Sequence, residues 1–289
     1  MKFYLPLVLA GAALLTGCKG LDNEYQEKAE ENDKQIQAYI TANNLKPTKS
    51  PSGLYYQITT TNPVGRAPKE GDVVTYKVEM STLDNKKIFV NDSSVLTRHQ
   101  AFGYNIFASG VSEGLAYMKE GESGILLATH NLAFGNNAIY LDSAKTRTLP
   151  AYTPIRFDVK FIKTRNETEQ ILEYIADKKL TVTETTSDGL RYVRVKEGTG
   201  DVIAKGKAVE LNYVLKSSYG EVIQKGDKFV MTAGAGGVIA GFDQGVQKMK
   251  VGEQAILIIP SALGYGKQGS GSIAPNVPLV YEIQILSAK

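Results

Sequence analysis

A tyrosine set between glycines, in Leu263-Gly264-Tyr265-Gly266, is the group in this chain best placed to do chemistry. A phenol in a glycine-flanked loop gains little as core filling, but it offers an O–H donor to whatever lies beside it. The same stretch occurs earlier as Leu132-Ala133-Phe134-Gly135, where a bare phenyl ring replaces the phenol. Cys18 is the only cysteine, so the chain has no internal disulfide or dithiol pair. His99 and His130 stand alone, with no Cys or His at ligand spacing, and they read as surface or loop residues. Gly234-Ala235-Gly236-Gly237 is not followed by Gly-Lys-Ser/Thr, so it reads as a hairpin and not as a phosphate loop. No Ser/His/Asp set is supported. These exclusions leave no metal and no cofactor to be expected.

Those glycine-flanked motifs belong to a longer internal repeat. Gln35-Ile36-Gln37-Ala38-Tyr39-Ile40 returns as Gln170-Ile171-Leu172-Glu173-Tyr174-Ile175, and Ser52-Gly53-Leu54-Tyr55-Tyr56 returns as Asp188-Gly189-Leu190-Arg191-Tyr192. Met118-Lys119-Glu120-Gly121-Glu122 likewise returns as Met249-Lys250-Val251-Gly252-Glu253. One domain has been duplicated, and each copy is large enough for its own hydrophobic core.

The chain opens with Lys2, runs through apolar residues to Leu15 and reaches Leu15-Thr16-Gly17-Cys18, the pattern of a bacterial lipobox. That run is shorter than the ~20 residues of a membrane span, and the small residues before the cysteine suit a processing site. Residues 1–17 are therefore expected to be a signal peptide and Cys18 the lipid-bearing residue, which makes the membrane a partner through that lipid. Lys19 in place of an acidic residue points to the outer membrane, facing the periplasm or the cell surface. Residues 18–33 are polar without a hydrophobic period and read as an unfolded tether. A net charge of +3, with both signs interspersed, gives no polybasic patch for nucleic acid.

Ile36, Tyr39 and Ile40 follow helical spacing, as do Ile171, Tyr174 and Ile175, so each copy should begin with a short helix whose stripe packs inward. Alternation in Val73–Val78, Tyr192–Val195, Val209–Tyr213 and Leu279–Ile285 predicts half-buried antiparallel strands. The expected fold is α+β, an antiparallel sheet wrapped around a short helix in each copy. The domains read as 34–165, a helical linker 166–180, and 181–289.

Residues from Glu210 to Tyr281 carry a run of motifs in one order. They are Glu210-Leu211-Asn212-Tyr213, Gly220-Glu221-Val222-Ile223-Gln224, Phe229, Val238-Ile239-Ala240-Gly241-Phe242, Met249-Lys250-Val251-Gly252-Glu253, Gly264-Tyr265-Gly266 and Ile273-Ala274-Pro275-Asn276. This second copy resembles an FKBP-type peptidyl-prolyl cis-trans isomerase domain. The resemblance implies a pocket for a proline ring walled by Tyr213, Phe229, Val238, Ile239, Phe242, Tyr265, Ile273 and Tyr281. It also implies carbonyl donors in the Ile239 N–H and the Tyr265 hydroxyl. Two positions depart from the family pattern: Phe242 stands where Trp is usual, and Ile223-Gln224 stands where Phe-Asp is usual. The latter removes an acid from beside the substrate amide.

The first copy reads Phe107-Ala108-Ser109-Gly110-Val111 where the second reads Val238 to Phe242, so it keeps the frame without the pocket. Its loop from Asn136 to Thr148 is lengthened, and Phe89 and Phe157 are expected to line at most a shallow groove. The reading implied is a lipid-anchored, monomeric prolyl isomerase of the cell envelope, acting through its second domain on proline-containing unfolded or exported polypeptides. The alternative is a non-catalytic chaperone or assembly lipoprotein, similar to accessory lipoproteins of gliding or secretion machines in Bacteroidetes-type bacteria.

Overall fold

The computed structural model describes residues 18–88, 96–104, 108–142 and 144–289; the expected signal peptide 1–17, Phe89 and Phe107 lie outside them. The first copy runs α1 (Cys18–Ala42), β1 (Thr48–Lys49), β2 (Tyr55–Thr60), β3 (Val73–Thr82), β4 (Leu96–Ala101), α2 (Ser109–Ala116), β5 (Ser123–Ala128), β6 (Ile139–Tyr140), β7 (Thr148–Leu149) and β8 (Ile155–Arg165). The second runs α3 (Glu167–Asp177), β9 (Glu184–Thr185), β10 (Arg191–Lys196), β11 (Ala208–Ser217), β12 (Val222–Thr232), α4 (Ala240–Val246), β13 (Gln254–Ile259) and β14 (Leu279–Ala288). Each copy forms a six-stranded sheet, in the orders β1-β2-β5-β8-β3-β4 and β9-β10-β13-β14-β11-β12. The two orders are the same when read position by position. The lengthened loop of the first copy forms a small hairpin in which β6 pairs with β7.

The middle of the second sheet is covered on both faces. Leu211, Leu257, Tyr281, Ile283 and Ile285 pack with Phe242 and Val246 of α4, while Ile258 and Val280 meet Ile171 and Tyr174 of α3. Strict alternation along β14 sends successive residues to opposite faces, so one strand serves both helices. The α3 stripe is thus a packing face, as its spacing predicts, and α3 does more than link. It begins at a reciprocal cap: the Asn166 side chain accepts from the Glu169 N–H at 2.9 Å, and the Glu169 carboxylate accepts from the Asn166 N–H at 2.9 Å.

Two expectations are corrected. Residues 18–33 are not an unfolded tether but the front of α1, a single helix of 25 residues. Its composition favours helix, the Lys28–Glu31 ion pair at 2.8 Å supports it, and Asn32 anchors it. The Asn32 Oδ1 accepts from the His130 backbone N–H at 3.0 Å and meets His130 Nδ1 at 3.0 Å. A polar anchor of this kind leaves no trace in hydrophobic periodicity. His130, expected at the surface or in a loop, is 0% exposed, with Tyr25 at 4.5 Å and Tyr152 at 5.0 Å between ring centroids. Burial holds its imidazole below the ordinary range, which keeps the ring neutral. His99 lies half-buried on β4, with Nδ1 at 3.0 Å from the Thr75 hydroxyl.

Candidate functional site

The site begins with two glycines. On α4, Gly241 and Gly245 face β13 so closely that a Cβ at 245 would lie 2.1 Å from Leu257 Cδ1, and one at 241 would lie 2.4 Å from Ile259 Cγ2. The helix therefore lies almost on the sheet backbone. Its entry is fixed by Asp243, whose Oδ1 accepts from the Gly234 N–H at 2.7 Å. That bond folds the turn at 233–237 back onto the helix and delivers Val238 and Ile239 to one end of the sheet. Ile239 is the N-cap residue, with its carbonyl bonded to the N–H groups of Phe242 and Asp243. Among the described residues its own N–H has no partner.

At this end of the sheet is a pocket of about 240 Å³ lined by Tyr213, Gln224, Phe229, Gly237, Val238, Ile239, Phe242, Tyr265 and Tyr281. Phe242, 3% exposed, is the floor. Tyr213 meets Phe242 at 5.7 Å and 76°, and Phe229 at 5.6 Å and 87°; Tyr281 meets Phe242 at 4.8 Å and 67°. Edge-to-face packing of this kind locks the rings into rigid walls. Gly226, paired with Tyr213 across β11 and β12, makes room for that phenol: a Cβ there would lie 2.2 Å from Tyr213 Cε1. Burial raises the Tyr281 hydroxyl above the ordinary phenol range, with Tyr265 and Tyr213 adding to the effect; burial also raises Tyr213. Both therefore stay protonated and able to donate.

Tyr265 is presented by a short 3-10 helix, Ser261–Leu263, whose Ser261 carbonyl accepts from Gly264 and Gly266 at 2.8 Å each. Gly266 has φ of +57° and its carbonyl accepts from Asn276 at 2.9 Å, so the loop closes on itself behind the phenol. The Glu167 carboxylate of α3 accepts the Ser261 N–H.

Eight of the sequence-predicted residues meet at this pocket, and two do not. Ile223 is the extra residue of a bulge, since Leu215 pairs with Gln224 while Lys216 pairs with Val222, and its side chain is 36% exposed. Ile273 packs against the core cluster beside the pocket. The sequence reading missed Asp243, Gly226 and Glu167. Only Asp243 had a visible signal, an acid in the first turn of a helix. A larger hollow of about 550 Å³ lies elsewhere on the sheet, lined by Asn212, Lys225, Gln254, Glu282 and Gln284 among others. It shares only Tyr213 with the smaller one, which combines rigid aromatic walls with an unpaired N–H. We place the site in the smaller one.

A family model described as FKBP-type peptidyl-prolyl cis-trans isomerase matches residues 64–162 and again 200–286. The chain belongs to this family. FK506-binding protein 1 of Dictyostelium discoideum is 38% identical over 106 residues, which cover 35% of this chain and 99% of that protein. FK506-binding protein 1 of Yarrowia lipolytica is 36% identical over 104 residues, 34% of this chain and 96% of that one. The solved structure of the three FKBP domains of wheat FKBP73 covers 83% of this chain and 96% of its own, at 21% identity and a TM-score of 0.38. The protein is thus an FKBP-type isomerase with two matching regions, and backbone hydrogen bonds set those regions in register.

Phe161 N–H to Glu122 O matches Ile285 N–H to Glu253 O, so Phe157 stands for Tyr281. Thr82 N–H to Lys86 O matches Ser217 N–H to Glu221 O, so Val78 stands for Tyr213. Val111 N–H to Ala108 O matches Phe242 N–H to Ile239 O, and Gly135 N–H to His130 O matches Gly266 N–H to Ser261 O. Val111 thus replaces the floor and Phe134 replaces Tyr265. Val78, Val111 and Phe157 are each 0% exposed. Phe157 is therefore core and does not line a groove. Every hydroxyl-bearing position of the second copy's pocket has lost its hydroxyl in the first copy.

Proposed function

We propose that the second domain carries the prolyl isomerase activity and that the first is a non-catalytic frame that spaces it or binds client chains. The carrying observation is the pocket: rigid aromatic walls, an unpaired Ile239 N–H at its rim and phenols around it. Its volume is below the ~300–1,000 Å³ of sites for drug-sized ligands, a size that suits one side-chain ring. Rotation about an X-Pro bond faces a barrier of ~18–20 kcal/mol because twisting breaks amide resonance. The twisted amide is less polar than the planar one, so a dry aromatic site favours it relative to water. In this reading the proline ring rests on Phe242, and the Ile239 N–H and Tyr265 hydroxyl hold carbonyl oxygens of the turned segment. No bond is made or broken. Val238, Phe229 and Tyr213 exclude water around the ring.

The substrates of this reading are proline-containing unfolded or exported polypeptides, whose uncatalysed isomerisation takes roughly tens to hundreds of seconds. The lipobox supports anchoring through Cys18 at the cell envelope, with the outer membrane, facing the periplasm or the surface, as the assigned site. No helix among the described residues is long and apolar enough to cross a membrane. One observation favours a second reading, a client-binding chaperone: exposed Gln224 puts a neutral amide at the pocket where the family pattern has an acid. A proline-switch assay on a chromogenic tetrapeptide, run on residues 167–289 and on residues 32–164, separates the two readings. Catalysis by the former alone supports the isomerase reading; binding of unfolded chains with no catalysis by either replaces it.

A further inference from the structure

Tyr281 carries a hydroxyl for which an apolar pocket has no use. The residue is 6% exposed, with its ring edge-on to Phe242 at 4.8 Å and beside Tyr213 at 5.6 Å. It lies on β14 between two ladders, opposite Leu215 on one side and Leu257 on the other, so its backbone has no freedom to withdraw. Among the described residues the Tyr281 hydroxyl has no hydrogen-bond partner, yet it is not among the polar atoms sealed from solvent. It opens into the pocket that its ring lines. Once a bound chain displaces water from this wall, a phenol O–H costs free energy unless the chain offers it an acceptor. Phenylalanine would avoid that cost, and the first copy has it: Phe157 at the matching place is 0% exposed.

The register adds a second observation. Gln224 pairs with Leu215 on β11, and Leu215 pairs with Tyr281 on β14, so Gln224 and Tyr281 lie in one row on the same face of the sheet. Tyr281 therefore puts a polar group into the row in which Gln224 supplies no charge. Tyr213 and Tyr265 also have hydroxyls without a partner among the described residues, so three phenols converge on one small cavity.

We propose that the Tyr281 hydroxyl is a catalytic donor to the substrate, hydrogen-bonding the carbonyl oxygen of the residue before proline as that carbonyl turns, alongside Tyr265. The inference rests on the reading of this pocket as the isomerase site. It assigns this chain a polar contact in the pocket made from β14 and not from β12.

The test compares wild type with Tyr281→Phe in the intact chain, using the chromogenic tetrapeptide and a thermal melt. Phenylalanine keeps the ring and its contacts, so the melting temperature is expected to hold or rise while kcat/KM falls roughly threefold to tenfold, the effect of one hydrogen bond. The fall should lie in kcat more than in KM, because the bond strengthens as the carbonyl turns. Wild-type rates in Tyr281→Phe overturn the proposal and leave the pocket reading intact. A lowered melting temperature with unchanged kcat makes the hydroxyl structural and also overturns it. An inactive wild type removes the pocket reading and the proposal together.

Discussion

Gly245→Ala sets two effects of known size against each other. Alanine is the better helix former by about 0.8–1.0 kcal/mol, and on an exposed helix the substitution would stabilise. Here the new methyl group would lie 2.1 Å from Leu257 Cδ1, 2.7 Å from Cδ2 and 3.0 Å from Cγ. Leu257 is 0% exposed on a central strand, so it has nowhere to turn. Overpacking of a filled core costs typically 1–3 kcal/mol. With three atoms of one immobile side chain in the way, the upper part of that range applies, and the net loss is about 1–2 kcal/mol. For a domain of this size that lowers the melting temperature by several degrees. The same displacement lifts α4 from the sheet, and Ile239 at its cap moves with it. A misplacement of about 1 Å can cost ~10²-fold in rate, so kcat/KM should fall further than the stability change explains. Circular dichroism melts and the tetrapeptide assay at a temperature well below the transition give both numbers. A raised melting temperature with unchanged rate would refute the packing argument and its link to the cap.

Other expectations follow from individual side chains. Gln224→Asp should raise kcat/KM a few-fold, with stability unchanged within about 0.5 kcal/mol because the residue is exposed; an unchanged or lower rate removes the role given to the missing acid. The pocket lining holds no histidine, carboxylate or amine. Tyr213 and Tyr281 are pushed above the usual phenol value near 10, so they keep their protons as pH rises. The rate profile should accordingly be flat from about pH 6 to 9 and fall only in more alkaline solution; a break near the histidine value of ~6.5 would point to a group outside this pocket. Cys18→Ser should leave an uncleaved precursor that takes up no clickable palmitate analogue, and normal labelling of that variant would end the lipoprotein reading.

The sequence shows most clearly those features that come from repetition and from period. Duplicated motifs gave the two copies, alternation gave strands such as β14, and the i, i+3 stripe of Ile171 and Tyr174 gave the face of α3 that packs on Val280. The aromatic wall was legible because its residues sit in a fixed order of motifs, each at a distinctive turn or glycine. What stayed hidden depends on contacts distant in the chain. Asn32 reaches His130 across 98 positions, which extends α1 through a polar stretch and buries an imidazole that sequence alone left at the surface. The bulge that turns Ile223 away from the pocket is visible only once β11 and β12 are paired. Gly226 reads as a flexible spot in a strand until the Tyr213 ring is seen to need its missing Cβ.

The central claim is that hydroxyls of the second domain's pocket turn proline bonds, and that the first domain, lacking them, does not. Tyr265→Phe combined with Tyr281→Phe tests it most directly. The pair gives the second pocket the two phenyl rings that the first copy already has at Phe134 and Phe157, with no change in ring volume. Two hydrogen bonds of about 0.5–1.5 kcal/mol each correspond to a loss of roughly tenfold to a hundredfold in kcat/KM. The account predicts that loss in the intact chain, with circular dichroism and melting temperature unchanged. Wild-type catalysis by the folded double variant would contradict it and place the activity outside these hydroxyls.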